Sequence, residues 1–152
     1  MIMYNSSYVH ENAEQEALFQ WAAYNTGRFP ELRLMFHIPN GGSRNKAEAA
    51  NLKRQGVKAG VPDICLPVAR GEYHSLYIEM KAGNNTTTEK QNEWLLDLSK
   101  QGNAAIVCYG WKTASAVIEK YLTLESCEKL DLTGVVKPVR MRKEKTRYSG
   151  NA

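Results

Sequence analysis

The sequence predicts an α/β fold, a mixed β-sheet flanked by helices. Hydrophobic patterning runs in the order helix, strand, helix, strand, strand, helix, strand, helix. The two middle strands are joined by a short connection, which makes them antiparallel and the sheet mixed rather than simply doubly wound. A chain of 152 residues, 43% hydrophobic and 24% charged, has the size and make-up of one domain with a substantial core.

The first helix is expected over Tyr8–Asn25, where Leu18, Trp21, Ala22 and Asn25 share one stripe that Gln15 and Glu11 extend backward. Glu11 and Glu14 lie near its start. Acids there also complement the helix dipole and solvent, an explanation as good as any chemical one. Thr26–Glu31, with Gly27 and Pro30, breaks the helix, and Leu32–Ile38 predicts a strand with Leu34, Phe36 and Ile38 alternating against their neighbours. Pro39-Asn40-Gly41-Gly42-Ser43 is a turn whose glycines allow positive φ and close backbone approach, and His37 and Arg44 flank it. The turn is either a tight connection or a place where backbone amides and Arg44 meet phosphates. Asn45–Gln55 reads as a helix with Ala47, Ala50 and Leu52 inward and Lys46, Lys53 and Arg54 outward, stopped by Gly56. Lysines on such a face serve solvation or a nucleic-acid backbone.

Ile64–Val68 and Ser75–Lys81 predict the paired strands, with the turn-prone Ala69–His74 between them. Glu89–Lys100 predicts the next helix, with Trp94, Leu95 and Leu98 as its apolar stripe. Thr88 and Gln91 have capping-box spacing, which would set Gln91 on a backbone amide at the helix start. Ala104–Tyr109 reads as a buried strand and Lys112–Leu122 as the last helix, with Ala116, Val117 and Tyr121 buried. Beyond Thr123 the periodicity weakens, and Leu124, Leu130, Leu132, Val135 and Val136 suggest a strand or a small appendage.

The chemistry concentrates in Gly60–Ala82. Asp63, preceded by Pro62, opens one strand of the pair, and Glu79 and Lys81 close the other. Side chains alternate along a strand, so Glu79 and Lys81 share a face and Met80 takes the opposite one. Carboxylates and an amine at neighbouring strand ends make a poor core. Such oxygens suit Mg²⁺, which takes one or two carboxylates and keeps positions for water and phosphate. A nearby ammonium stabilises charge growing on a phosphoryl group.

Asp63, fifteen intervening residues, then Glu79-x-Lys81 resembles the signature of the PD-(D/E)XK nucleases, and more narrowly of their VRR-NUC branch. The narrower likeness rests on His37-Ile-Pro-Asn-Gly-Gly-Ser-Arg44, Leu52-Lys-Arg-Gln-Gly-Val-Lys-Ala-Gly-Val-Pro-Asp63 and Tyr77-Ile-Glu-Met-Lys81 followed by Gln91, and spans roughly Glu11 to Leu122. It implies a restriction-endonuclease-like core over residues 1–125 and a C-terminal extension over 126–152. It further implies a DNA endonuclease dependent on Mg²⁺, with Mn²⁺ able to substitute. Asp63, Glu79, Lys81 and Gln91 would be catalytic. Metal ligands would be Asp63, Glu79, the Met80 carbonyl, and Glu11 or, second to it, Glu14 from the first helix. His37, Asn40, Gly41, Arg44, Lys53 and Arg54 would face DNA. The expected substrate is branched or structured DNA, in a repair or recombination nuclease of a bacterial cytoplasm or phage-infected host. Symmetric cleavage of a junction would need a homodimer with twofold symmetry, but no residue pattern marks a dimer surface. The competing expectation is a non-catalytic nucleic-acid-binding module that retains the fold. Unpaired buried charges are costly to keep without a metal, which weighs against it.

Other classes fall away. No apolar run approaches the ~20 residues that span a bilayer, and Met1–Ser7 lacks the basic region and apolar block of a secretory signal. Cys65, Cys108 and Cys127 are widely spaced and lack a C-x-x-C, which excludes a zinc ribbon and a disulfide framework. The net charge of +4 resides in the C-terminal tail. From Val135 onward, Lys137, Arg140, Arg142, Lys143, Lys145 and Arg147 face one acid, Glu144. Such a tail is a nucleic-acid arm or a disordered solvated end.

Overall fold

A computed structural model describes residues 6–40 and 45–136, and the side chains of 10–40 and 45–136. Helix α1 (Ser6–Asn25) leads through a 3-10 turn (Pro30–Leu34) to the two-residue strand β1 (Phe36–His37), followed by α2 (Lys46–Arg54). Strands β2 (Ile64–Leu66) and β3 (Leu76–Lys81) precede α3 (Glu89–Lys100), β4 (Ala104–Tyr109) and α4 (Trp111–Leu122). The sheet order is β1-β2-β3-β4. The first two pairings are antiparallel and β3–β4 is parallel, with α3 as the crossover. This is the mixed α/β sheet that the sequence predicts.

Strand alternation builds the core. Leu76, Ile78 and Met80 of β3 lie in one buried cluster with Leu18 and Ala22 of α1 and Ala114, Val117, Ile118 and Tyr121 of α4. Tyr121 is fully buried, and its hydroxyl donates to the Val68 carbonyl at 2.6 Å, so the polar end carries no desolvation penalty. The opposite face of β3, bearing Glu79 and Lys81, is met by α3 through Gln91.

Two local expectations are corrected. Leu32–Ile38 is not a continuous strand, because Pro30 presets the backbone for a helical turn. Leu32 and Met35 are buried at a spacing of three, while Leu34 and Phe36 are 55% and 47% exposed. In α2, Ala47 and Ala50 are exposed and only Leu52 is half-buried, since the helix lies on the surface. Its ends are held locally: the Asn45 side chain accepts from the Glu48 amide at 2.7 Å, and Gly56 closes it at φ +98°. Residues 123–136 form turns rather than a strand. Leu124, Leu130, Leu132, Val135 and Val136 are partly buried against the core, and the Leu130 amide donates to the Tyr73 hydroxyl at 3.2 Å. The basic tail from Lys137 lies outside the described residues. Among the described residues no helix is long and apolar enough to cross a membrane.

Candidate active site

Sheet register brings the site together. Ile64 pairs with Ile78, so one step further Asp63 stands opposite Glu79, at the β2–β3 end. Asp63 is fixed on both sides. Its carbonyl accepts from the Ile38 amide at 2.7 Å and pairs with His37 Nδ1 at the same distance. Its Oδ2 accepts from the Met80 amide at 2.8 Å. Two steps along the register Pro62 faces Met80, and proline has no N–H to give. A residue's N–H and C=O point to the same edge of a strand, so the Met80 carbonyl faces β2 without a ladder donor from Pro62.

Glu79 is 1% exposed and Lys81 6%. Lys81 Nζ donates to Glu79 Oε1 at 2.8 Å, and Gln91 Nε2 donates to the same oxygen. Glu79 Oε2 is buried with no partner among the described residues. Burial, and then the charge of Asp63, push the Glu79 carboxyl from 4.5 up to about 7 against the pull of Lys81. Burial also raises Asp63, opposed by its bond from the Met80 amide. Burial alone would lower the Lys81 ammonium, but the Glu79 carboxylate, together with Glu11 and Asp63, outweighs it and holds Lys81 above the ordinary lysine value. The group is therefore a cation at neutral pH.

Gln91 holds the helix start and also reaches the strand that ends at Lys81. Its Oε1 accepts from the Thr88 amide at 2.9 Å, closing a capping box, while its amide nitrogen reaches Glu79. The two acids of α1 part company. Glu14 Oε2 accepts from the Trp111 amide at 2.6 Å and so caps α4, whose N-cap Gly110 has no side chain to do so. Glu11 Oε1 accepts from Asn85 Nδ2 at 2.7 Å, and its charge acts on Asp63, Glu79 and Lys81. The Asn85 carbonyl in turn accepts from the Tyr109 hydroxyl at 2.9 Å. Asn85 and Tyr109 are not expected from sequence; Asn85 has the signal of a loop with paired asparagines shortly after Lys81, and Tyr109, at the end of β4, has none.

Of the positions expected to face DNA, His37 is bonded to Asp63 and Asn40 donates to the Val61 carbonyl, both beside the site. Lys53 lies with Asn40 on a neighbouring cavity, and Arg54 is exposed with its guanidinium on Asn51. Gly41 and Arg44 lie outside the described residues.

Among the described residues no three His, Cys, Asp or Glu side chains converge tightly enough to hold a metal on their own. That excludes a zinc-like cage there. A hard ion that takes one or two carboxylates plus waters fits better. Its donors would be Asp63, the unpartnered Glu79 Oε2 and the Met80 carbonyl.

A protein-family model of the VRR-NUC domain matches residues 7–112. A solved structure described as a VRR_NUC domain protein is 36% identical, with a TM-score of 0.66 over 77% of this chain and 91% of that one. No curated protein matches. The matched span takes in Glu11, Asp63, Glu79, Lys81 and Gln91, and by sequence and fold together the chain belongs to the VRR-NUC family of nuclease-type domains.

Proposed function

We propose that this chain is a Mg²⁺-dependent DNA endonuclease, with Mn²⁺ able to substitute. The observation that carries this is Glu79 Oε2, a buried carboxylate oxygen with no described partner, beside a second carboxylate and a lysine. A carboxyl raised to about 7 is a poor structural ion pair but a natural cation ligand. Asp63, Glu79 Oε2 and the Met80 carbonyl would hold the ion, with Glu11 at the rim. Bound there, the ion would lower the pKa of a water and neutralise charge on the scissile phosphate.

The chain's own groups supply the rest. Asp63 is oriented by the Met80 amide and by contacts to β1, so its carboxylate needs little reorganisation. Lys81, cationic in the metal-free protein, would orient the attacking water and stabilise charge developing on the phosphoryl oxygens. Gln91 clamps Glu79 Oε1, which leaves Oε2 for the ion. His37, Asn40 and Lys53 lie at or next to the site and would meet sugar and phosphate rather than base edges. Backbone recognition of this kind supports selection by DNA shape, as in branched or junction substrates, over a sequence-specific activity.

The test is cleavage of linear, nicked, flap and four-way DNA in Mg²⁺, Mn²⁺ and EDTA. Cleavage of at least one branched substrate in either metal, abolished by EDTA, is expected. Metal-indifferent binding without cleavage of any substrate would favour the non-catalytic module instead.

A further inference from the structure

Between α2, the loop at residues 56–60 and α3 lies a half-open cavity of about 660 Å³, within the size range of small-ligand sites, about 300–1,000 Å³. Neither Asp63 nor Glu79 lines it. Its wall carries Asn40, Lys53, Lys58, Lys90 and Trp94, with Glu93 the single acid among the described lining residues. Three lysines against one glutamate give the wall a positive balance, which suits an anionic ligand.

Two contacts give the cavity a built wall. Gly60 adopts φ +87°, and a Cβ there would stand 2.8 Å from the Lys90 backbone, so the loop rests directly on the first turn of α3. Trp94 Nε1 donates to the Ala59 carbonyl at 3.2 Å, which ties the indole to the same loop. The wall also runs into the active site. Gln91, the residue after Lys90, touches Glu79, and Asn40 bonds Val61, two residues before Asp63.

A cationic groove with an aromatic platform suits an unpaired strand, whose bases are free to stack on a side chain. A base inside a duplex has both faces occupied. We infer that this cavity holds an unpaired nucleotide of the substrate, with its base on Trp94 and its backbone at Lys58 and Lys90. The enzyme thereby selects DNA with a single-stranded segment next to the scissile bond. This rests on the nuclease reading of the Asp63–Glu79 site, which is scored separately below.

The test measures binding by fluorescence anisotropy in EDTA, where cleavage is silent. The probes are a blunt duplex, the same duplex with an overhang, and the overhang strand alone, each over a range of salt. The overhang duplex is expected to bind roughly tenfold tighter than the blunt one. Trp94→Leu should remove most of that preference without weakening blunt-duplex binding. The double variant Lys58→Ala/Lys90→Ala replaces two exposed side chains, and should lower the log–log salt slope for the single strand by about 1.4. If Trp94→Leu fails to fold by circular dichroism, the lysine pair and Trp94→Phe carry the test, the latter keeping a ring and part of the preference. An overhang preference that survives the substitutions, or equal binding of blunt and overhang DNA by the wild type, overturns the inference. Wild-type cleavage with Mg²⁺ is read in parallel. Cleavage without any overhang effect removes the cavity's role alone, whereas an overhang preference lost in the variants, without metal-dependent cleavage, removes the nuclease and leaves the cavity standing.

Discussion

Glu79→Gln separates the charge of the buried carboxyl from its shape. In the metal-free protein burial, and then Asp63, raise Glu79 from 4.5 to about 7. A raised carboxyl favours the protonated folded state. Its contribution to stability is fully present below 4.5, the unfolded value, and is lost as pH rises through about 7. At about 1.4 kcal/mol per pH unit the loss at pH 8.5 comes to about 3 kcal/mol. Glutamine is neutral and close in shape to the protonated acid, and Lys81 keeps Asp63 and Glu11 as electrostatic partners. In EDTA at pH 8.5 the variant is therefore expected to be more stable than wild type by about 3 kcal/mol, on the order of 9 °C in Tm for a domain of this size. At pH 5 the gap should shrink to about 1 kcal/mol, because that pH lies only about half a unit above the unfolded value and the folded state still holds its proton. Calorimetry at the two pH values reads the difference directly. Magnesium at a hundred times Kd should stabilise the wild type by about 2.7 kcal/mol and leave the variant unmoved, which brings the two nearly level at pH 8.5. A gap that does not depend on pH, or a variant less stable than wild type at pH 8.5 in EDTA, would refute the assignment of Glu79 as a buried acid whose desolvation outweighs its pairing with Lys81.

Three further outcomes are expected. Glu14→Ala removes the cap on α4 and should cost about 1 kcal/mol in denaturant unfolding while sparing cleavage; the reverse pattern would make Glu14 the ligand. Glu11→Ala should raise the Mg²⁺ concentration needed for half-maximal cleavage with little change in Tm, and an unchanged metal requirement would remove Glu11 from the site. Gln91→Ala loses both its capping-box bond and its hold on Glu79, so it should lower Tm by a few degrees and also lower kcat; Gln91→Glu keeps the cap acceptor but faces Glu79 with a like charge, so it should recover neither Tm nor kcat in full.

The strand-face arrangement of the candidate site is legible in the sequence because its determinants are local. Strand alternation places Glu79 and Lys81 on one face and Met80 on the other, and Pro62 announces the strand that Asp63 opens. The capping box at Thr88 was readable from four residues. What escaped depends on partners far along the chain. Nothing near Glu14 says that it caps a helix 97 residues away, and Glu11 is distinguished from it by Asn85, 74 residues on. The alternation over Leu32–Ile38 imitates a strand, whereas Leu32 and Met35 pack at a spacing of three after Pro30. The alanines of α2 misled in another way: apolar residues suggested an inner face, but no neighbouring element packs closely enough to bury them.

Direct titration of Mn²⁺ into the metal-free protein, followed by calorimetry or by the ion's paramagnetic resonance, tests the central claim without needing a substrate. Wild type should bind with protons released near neutral pH, and both Asp63→Ala and Glu79→Gln should lose that binding while remaining folded. Equal affinity in the wild type and the two variants would mean that the paired carboxylates do not hold the ion.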